Sequence, residues 1–320
     1  MPSGRSNQLS YSPETISSYE FLVLNLFIFL KTRGILNLVG LSRNFFYNCI
    51  VAKKYPIIVS APHACSSIPK KWRRRIALTD EQIWHFSDPF SNLTAKYSRA
   101  FSTHIAKTHR ALGDFNRAPT PETAFRKNDF RGKNKIWRDG KEPTNFEKAD
   151  LLQKNWFPFY EEIFGKMRKL IERGAKRILF IDHHNTASDH PAGDGREYMP
   201  AIVISNFGSR HRGGRVKSRG DISMPASAMT FFRKILWKEV GLGAEINQIY
   251  HGGYAIKWVM ENARLIDPSV KIYGLQFEYN LGLIHNPLSG KNDLVALELL
   301  KKKVNRSITR LAEHLKCDKC

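Results

Sequence analysis

Cysteine is scarce in this 320-residue chain, and the four present, Cys49, Cys65, Cys317 and Cys320, are scattered. That excludes a disulfide scaffold and suits a reducing, cytoplasmic setting; the terminal Cys317-Asp318-Lys319-Cys320 has no partner pair and reads as two free thiols. Acidic residues are also few, 29 Asp+Glu against 51 Lys+Arg, for a net charge of +22. So basic a surface attracts anionic metabolites, anionic polymers or a membrane surface, but it informs on partners and not on fold. Long apolar runs are missing too. The longest, Phe21–Leu30, is interrupted by Asn25 and spans ten residues, where a membrane-crossing helix needs roughly 20. Glu14 and Glu20 stand where a signal peptide carries basic residues, so neither a secretory leader nor a transmembrane span is expected. No internal repeat is found. What remains, 42% hydrophobic and 12% aromatic residues, is enough for a sizeable core and excludes global disorder.

Residues 1–50 read as an apolar extension of one or two helices. Lys31, Arg33 and Arg43 flank its apolar residues, which is also the pattern of an interfacial anchor. From residue 51 to 320 the character is that of a folded domain. Pro56–Ser60 is a β-branched strand that stops at Ala61-Pro62-His63. The spacing predicts helix over Thr79–His109, with Thr79-Asp80-Glu81-Gln82 as its cap. Arg126–Asn145 reads as a long loop, and Phe146–Arg173 as a helix broken in two by Pro158 and ended by Gly174. Arg177–Asp182 is a strand ending in His183-His184. Ala201–Ser205 is another, Ser209–Arg219 a basic loop, Ser227–Val240 a helix, Lys271–Asn280 a strand and Asp293–Leu315 a closing amphipathic helix. Strands alternating with helices predict an α/β fold, a mostly parallel mixed sheet with helices on both faces.

Ligands of such sheets collect at the carboxyl ends of the strands, where His63, His183-His184 and Glu278 fall. A zinc hydrolase site needs about three His or carboxylate ligands, an open position and a carboxylate to take a proton. His63 and His184 are the first two candidate ligands. Side chains alternate along a strand, so Asp182 and His184 share one side, with Asp182 orienting an imidazole, while His183 points away. Position 66, where a compact pair would put a carboxylate, holds Ser66, so Asp88 in HFSDPFSNL is the leading third ligand, ahead of His85, Asp80 and Asp114. Glu278 lies among Leu275, Phe277 and Tyr279; proton transfer as general base would justify a carboxylate there, and a structural ion pair with an arginine is the alternative. Asn116-Arg117 offers an amide and a guanidinium fork for a substrate carboxylate. Gly252-Gly253, before Tyr254, forms a tight turn or lets backbone approach a ligand.

Taken in order, these segments resemble the N-formylglutamate amidohydrolase family. They are Pro62-His63 with Ile68-Pro69, Asp88, Asp114-Phe115-Asn116-Arg117, Asp182-His183-His184, Gly252-Gly253-Tyr254 and Glu278-Tyr279-Asn280. The resemblance implies a zinc carboxypeptidase-like fold (phosphorylase/hydrolase-like) and one Zn2+ per chain. It further implies His63 and His184 as ligands, Glu278 as general base, Asn116-Arg117 on the carboxylate of a small N-acyl amino acid, and hydrolysis of a linear amide C–N bond. Three positions depart from the family pattern. Leu281 replaces a common arginine, Cys65 a glycine, and Pro158-Phe159-Tyr160 a Pro-Tyr-His, which removes a polar group.

A different class, a basic nucleic-acid-binding protein reusing the hydrolase fold, is suggested by Lys70–Arg75, Arg126–Arg138 and Arg210–Arg219. In that reading Trp72 and Trp137 are the stacking platforms.

Overall fold

The computed structural model describes residues 54–129, 132–187, 199–210, 212–216 and 221–317. These fall within one unit, Lys53–Cys320; the expected extension over residues 1–50 lies outside the described residues. Six strands form one sheet: β1 (Tyr55–Ala61), β2 (Ala100–Ile105), β3 (Arg177–Thr186), β4 (Ile202–Ser205), β5 (Ala244–Ile246) and β6 (Lys271–Asn280), in the order β2-β1-β3-β6-β4-β5. β2, β1, β3 and β6 run parallel; β4 and β5 run parallel to each other and antiparallel to β6. The sheet is the mostly parallel mixed one expected. Because β4 is reversed, its Asn206 end lies away from the carboxyl ends of β1, β3 and β6.

The helices are α1 (Lys70–Arg73), α2 (Asp80–His85), α3 (Ser91–Thr94), α4 (Asn145–Leu151), α5 (Phe157–Glu172), α6 (Ala226–Val240), α7 (Tyr254–Ile266) and α8 (Leu294–His314). Strand alternation sorts the core into two layers. Val59, Ile181 and Phe277 face α6 and α8, while Ile58, Phe180 and Ile272 face α5 and α7. Each layer is closed by the apolar stripe of its helices, which is how a parallel sheet buries both faces.

Several expected elements change. Thr79–His109 is not one long helix: Thr79 caps a single short one, α2, through a reciprocal capping box with Gln82, and Ala100–Ile105 is strand. β2 is a half-buried edge strand, so it lacks the apolar run that exposes a central strand to sequence reading. The helical segment from Asn145 to Glu172 is not cut at Pro158. A π turn over Leu152–Trp156 leads into α5, and Pro158, which has no N–H to donate, follows directly on that turn. α7 and β5 were not anticipated. The histidine pair is not beyond a strand end but inside β3, which continues to Thr186.

Trp72 and Trp137 are buried at 7% and 3% exposure and pack edge to face on one another, so neither is a stacking platform. The basic run around Trp72 is tied down locally, Arg75 to Glu147 at 2.8 Å and Arg73 to Asp80 at 2.8 Å. This removes the aromatic half of the nucleic-acid reading. Of Arg210–Arg219, residues 211 and 217–219 lie outside the described residues; Arg215 pairs with Asp221. Cys317 is buried and Cys65 half-buried, while Cys49 and Cys320 lie outside the described residues. No described helix is long and apolar enough to cross a membrane.

Candidate metal centre and active-site pocket

The strand register builds the site. On the face that packs α5 and α7, Ser60 of β1 sits level with Asp182 of β3, and Asp182 level with Gln276 of β6; one step further along, His184 is level with Glu278. These side chains line the same sheet face beyond the point where the helices cover it. His63 joins them from the turn just after β1, where the Cys65 N–H donates to the His63 carbonyl at 2.9 Å. Asp88 comes from the loop after α2. Its φ of +46° is a left-handed conformation uncommon for a side chain with Cβ, though Asp tolerates it better than most. Ser91 holds the turn by donating its hydroxyl to the Asp88 carbonyl at 2.6 Å.

His63 and His184 meet with ring centroids 4.7 Å apart. Asp88 Oδ2 lies 3.3 Å from His63 Nδ1 and 2.9 Å from His184 Nδ1. One donor atom from each of the three residues falls within 4.8 Å of the others, and all three residues are buried. The other nitrogen of each ring faces a second carboxylate: His63 Nε2 is 2.7 Å from Asp114 Oδ1, and His184 Nε2 is 3.1 Å from Asp182 Oδ2. An imidazole held by a carboxylate at Nε2 presents Nδ1 outward, which is how protein metal sites fix their histidines. Two nitrogens and one carboxylate oxygen are a borderline-soft donor set suited to zinc and its neighbours. These residues could hold a divalent metal ion. His85 lines the pocket without joining the three, Asp80 is a surface residue, and Asp114 stands behind His63.

The electrostatics follow from crowding of opposite charges. Burial alone would raise Asp88, yet the His63 and His184 imidazoles outweigh it and hold the carboxyl well below the usual range. Asp114 is likewise held down against its burial by Arg110 and His63. Burial disfavours the charged His184, but Asp182 and Asp88 lift it well above an ordinary histidine. Glu278 goes the other way. Burial raises it to about 8, with Asp88 and Asp182 adding to the effect against His184. Its hydrogen-bond partner is Gln276, whose Nε2 donates to Glu278 Oε1 at 2.8 Å; no arginine pairs with it among the described residues.

The Asp114–Arg117 segment is clamped from α5: Tyr160 donates its hydroxyl to the Phe115 carbonyl at 2.6 Å, and the preceding Trp156 donates Nε1 to the Arg117 carbonyl at 3.1 Å. Tyr160 thus restores a buried polar group at the position expected to have lost one. Asn116 is engaged on both sides of its amide. Nδ2 donates to Asp182 Oδ2 at 2.9 Å, and Oδ1 accepts the Ala255 N–H at 2.9 Å. Of the Asn-Arg pair, then, Arg117 alone keeps its fork for a ligand, with Nε 3.6 Å from Asp114 and the side chain 45% exposed.

Gly253 makes the clamp possible, since a Cβ there would overlap both the Asn116 amide and the Asp182 carboxylate. Gly252, with φ +137°, lets the chain pass against the Phe207 ring. The close approach made by the two glycines is therefore to protein groups. Both glycines, with Tyr254, line a cavity of about 540 Å³ that also contains His63, Asp88, His184, Asn116, Arg117 and Glu278. Leu281 is buried in the core rather than facing this cavity. Among the wall residues that sequence reading missed are Arg110, Arg126, Tyr250 and Gln276. An isolated Arg, Tyr or Gln in a basic chain carries no local signal, although the register of β6 would have placed Gln276 beside Glu278.

Residues 55–280 match the sequence profile of N-formylglutamate amidohydrolase. No curated protein gives a significant match. Among solved structures, the crystal structure of N-formylglutamate amidohydrolase from Ralstonia eutropha JMP134 is similar at 14% identity, with a TM-score of 0.64, covering 83% of this chain and 95% of that one. A gene product from Agrobacterium tumefaciens is similar at 17% identity, with a TM-score of 0.54, covering 80% and 93%.

Proposed function

The chain belongs to the N-formylglutamate amidohydrolase family, and from that premise we propose that it is a zinc-dependent hydrolase of an N-formyl-type amino acid, N-formylglutamate being the first candidate substrate. The observation that carries this reading is the convergence of His63, Asp88 and His184, each imidazole backed by its own carboxylate, beside the buried Glu278.

His63, Asp88 and His184 would hold the ion, which supplies Lewis-acid activation of water and of the amide carbonyl. The rest is done by side chains. Asp114 and Asp182 keep the two rings turned with Nδ1 inward, and Asn116, bonded to Asp182 and to the start of α7, locks that arrangement. Arg117 holds the substrate carboxylate by its exposed fork, fixing the scissile amide over Glu278. Gln276 occupies Glu278 Oε1 and so leaves Oε2 to take a proton from the attacking water and return it to the departing nitrogen. A carboxylate whose pKa is raised to about 8 takes that proton more readily than an ordinary one, and a cation nearby would favour the ionised form needed to accept it. One water is consumed, the C–N bond is broken, and the acyl carboxylate and the free amino acid leave.

The test is metal analysis of the purified protein together with hydrolysis of N-formyl-, N-acetyl- and N-succinyl-L-glutamate. About one zinc per chain and turnover of the N-formyl compound are expected. Glu278→Gln should keep its zinc while kcat falls roughly 10²–10⁴-fold. Absence of bound divalent metal, or a Glu278→Gln enzyme as fast as the parent, would overturn the assignment.

A further inference from the structure

Three arginines, Arg110, Arg117 and Arg126, line the cavity together with Asp88, Asp114 and Glu278. Arg110 is committed, with Nη2 2.6 Å from Asp114 Oδ2 and Nη1 3.8 Å from Asp88 Oδ1. Arg117 lies 3.6 Å from the same Asp114. Arg126, on the loop that follows, also lines the cavity, yet no carboxylate pairs with it among the described residues. Its hydrogen bond is a long one, Nη2 donating to the Asp129 carbonyl at 3.4 Å. Its guanidinium shares the Phe86 ring with Arg110, their Cζ atoms 6.0 and 4.9 Å from the ring centroid, so like charges crowd here.

The consequence is visible in its acidity. Partial burial, with Arg110 and Arg117 nearby, lowers Arg126 to about 10. A guanidinium held in a pocket beside other guanidiniums without an anion of its own is stabilised when a ligand brings one. Asp114 and Asp129 act on it from a distance without outweighing burial and its arginine neighbours, and Asp114 is already bonded to Arg110.

We infer that Arg126 is a specificity-determining residue that binds a second carboxylate, on the side chain of the substrate amino acid, while Arg117 takes the first. The inference rests on the proposed amidohydrolase reading for its substrate and goes further in naming the residue that holds the side-chain carboxylate.

The experiment pairs two nearly isosteric substrates, N-formyl-L-glutamate and N-formyl-L-glutamine, with the full-length zinc-loaded protein and its Arg126→Leu and Arg126→Lys variants. A charge-assisted contact implies that Arg126→Leu lowers kcat/KM for the glutamate compound roughly 10–100-fold, mostly through KM. The glutamine compound should change by less than about threefold, so that the parent's preference disappears, and Arg126→Lys should restore part of it. Equal losses on both substrates would overturn the inference and leave Arg126 a structural residue. A second arm needs no turnover: calorimetric titration with glutarate and with butyrate. The parent should favour the dicarboxylate and Arg126→Leu should not; equal binding of glutarate by parent and variant overturns the inference even if neither N-formyl compound is hydrolysed. Glutarate selectivity that depends on Arg126, without hydrolysis, would instead sink the amidohydrolase reading and keep the anion site.

Discussion

Two neighbouring histidines on β3 are equally buried, His183 at 1% and His184 at 2% exposure, yet their pKa values are pushed in opposite directions. His183 faces the α6–α8 layer, where Thr94 Oγ1 lies 2.7 Å from Nε2, the Tyr97 hydroxyl 2.8 Å from Nδ1, and the Phe277 ring stacks alongside. Its bonded partners are neutral; burial, reinforced by His184 and only partly opposed by Asp88, lowers its pKa to about 3. His184 points to the other face, between Asp88 and Asp182, where carboxylates overcome the same burial and push its pKa up. The strand delivers structure on one side and chemistry on the other. What decides is the polarity of the facing side chains, not the depth of burial.

The sharpest way to break that contrast is to remove each ring in turn. His184→Ala takes away one of three donors, so zinc content measured by atomic spectroscopy should fall from near one equivalent to near zero, and turnover by roughly three orders of magnitude. His183→Leu leaves the Thr94 and Tyr97 hydroxyls without their ring partner, which should cost about 1–3 kcal/mol in urea unfolding. Its metal content should stay unchanged. If His183→Leu were to lose zinc as completely as His184→Ala, the two faces would not be independent.

Alternation made this contrast legible from the sequence: Asp182 and His184 on one side, His183 on the other, follows from period two once the strand is identified. β1, β3 and β6 were identifiable because each is an uninterrupted buried run rich in β-branched or aromatic residues. β2 was not, because half of its side chains remain partly exposed at the sheet edge. α7 was hidden behind Gly252-Gly253, read only as a turn, although its apolar spacing Ala255, Ile256, Val259, Ala263 is that of a buried helical stripe. Asp88 was preferred to His85, Asp80 and Asp114 with no local pattern to fix the choice. Its left-handed backbone and its bridge between two rings depend on long-range packing, which no local pattern reports. The real task of Asn116 was illegible for the same reason, because its partners lie 66 and 139 residues away in the chain.

A milder change sharpens the same contrast from the site's rim. Gly253→Ala forces a Cβ into the Asn116 amide and the Asp182 carboxylate without touching a candidate metal donor. Groups that orient a ligand from behind are worth about 10–100-fold in metal affinity. Competition with a zinc chelator should therefore show weakening of that size, while the unfolding midpoint of the metal-free protein moves little. An unaltered zinc affinity would mean that Asn116 and Asp182 do not set the orientation of His184.

The smallest effect concerns a histidine that, like His183, is buried without a carboxylate bonded to its ring. His109 accepts the Ala111 N–H at Nδ1 (3.1 Å) and donates Nε2–H to the Ile83 carbonyl at 3.2 Å, so the neutral tautomer satisfies both nitrogens. Burial, reinforced by Arg110 and His63 against the Ile83 carbonyl and Asp114, lowers it to about 3. The unfolded chain, with an ordinary histidine near 6.5, binds this proton first as pH falls. Its contribution to stability is thus complete above about pH 6.5, declines as pH drops toward 3, and is not lost further below that. Between pH 8 and pH 5.5 this one group should weaken the folding equilibrium about tenfold. His109→Gln should be less stable at pH 8, because the bond to Ile83 is disturbed, but its urea midpoint should depend less on pH over that interval than the parent's. Parallel pH profiles for the two proteins would show that His109 takes up its proton equally well folded and unfolded, contrary to the hydrogen bonds that fix its tautomer.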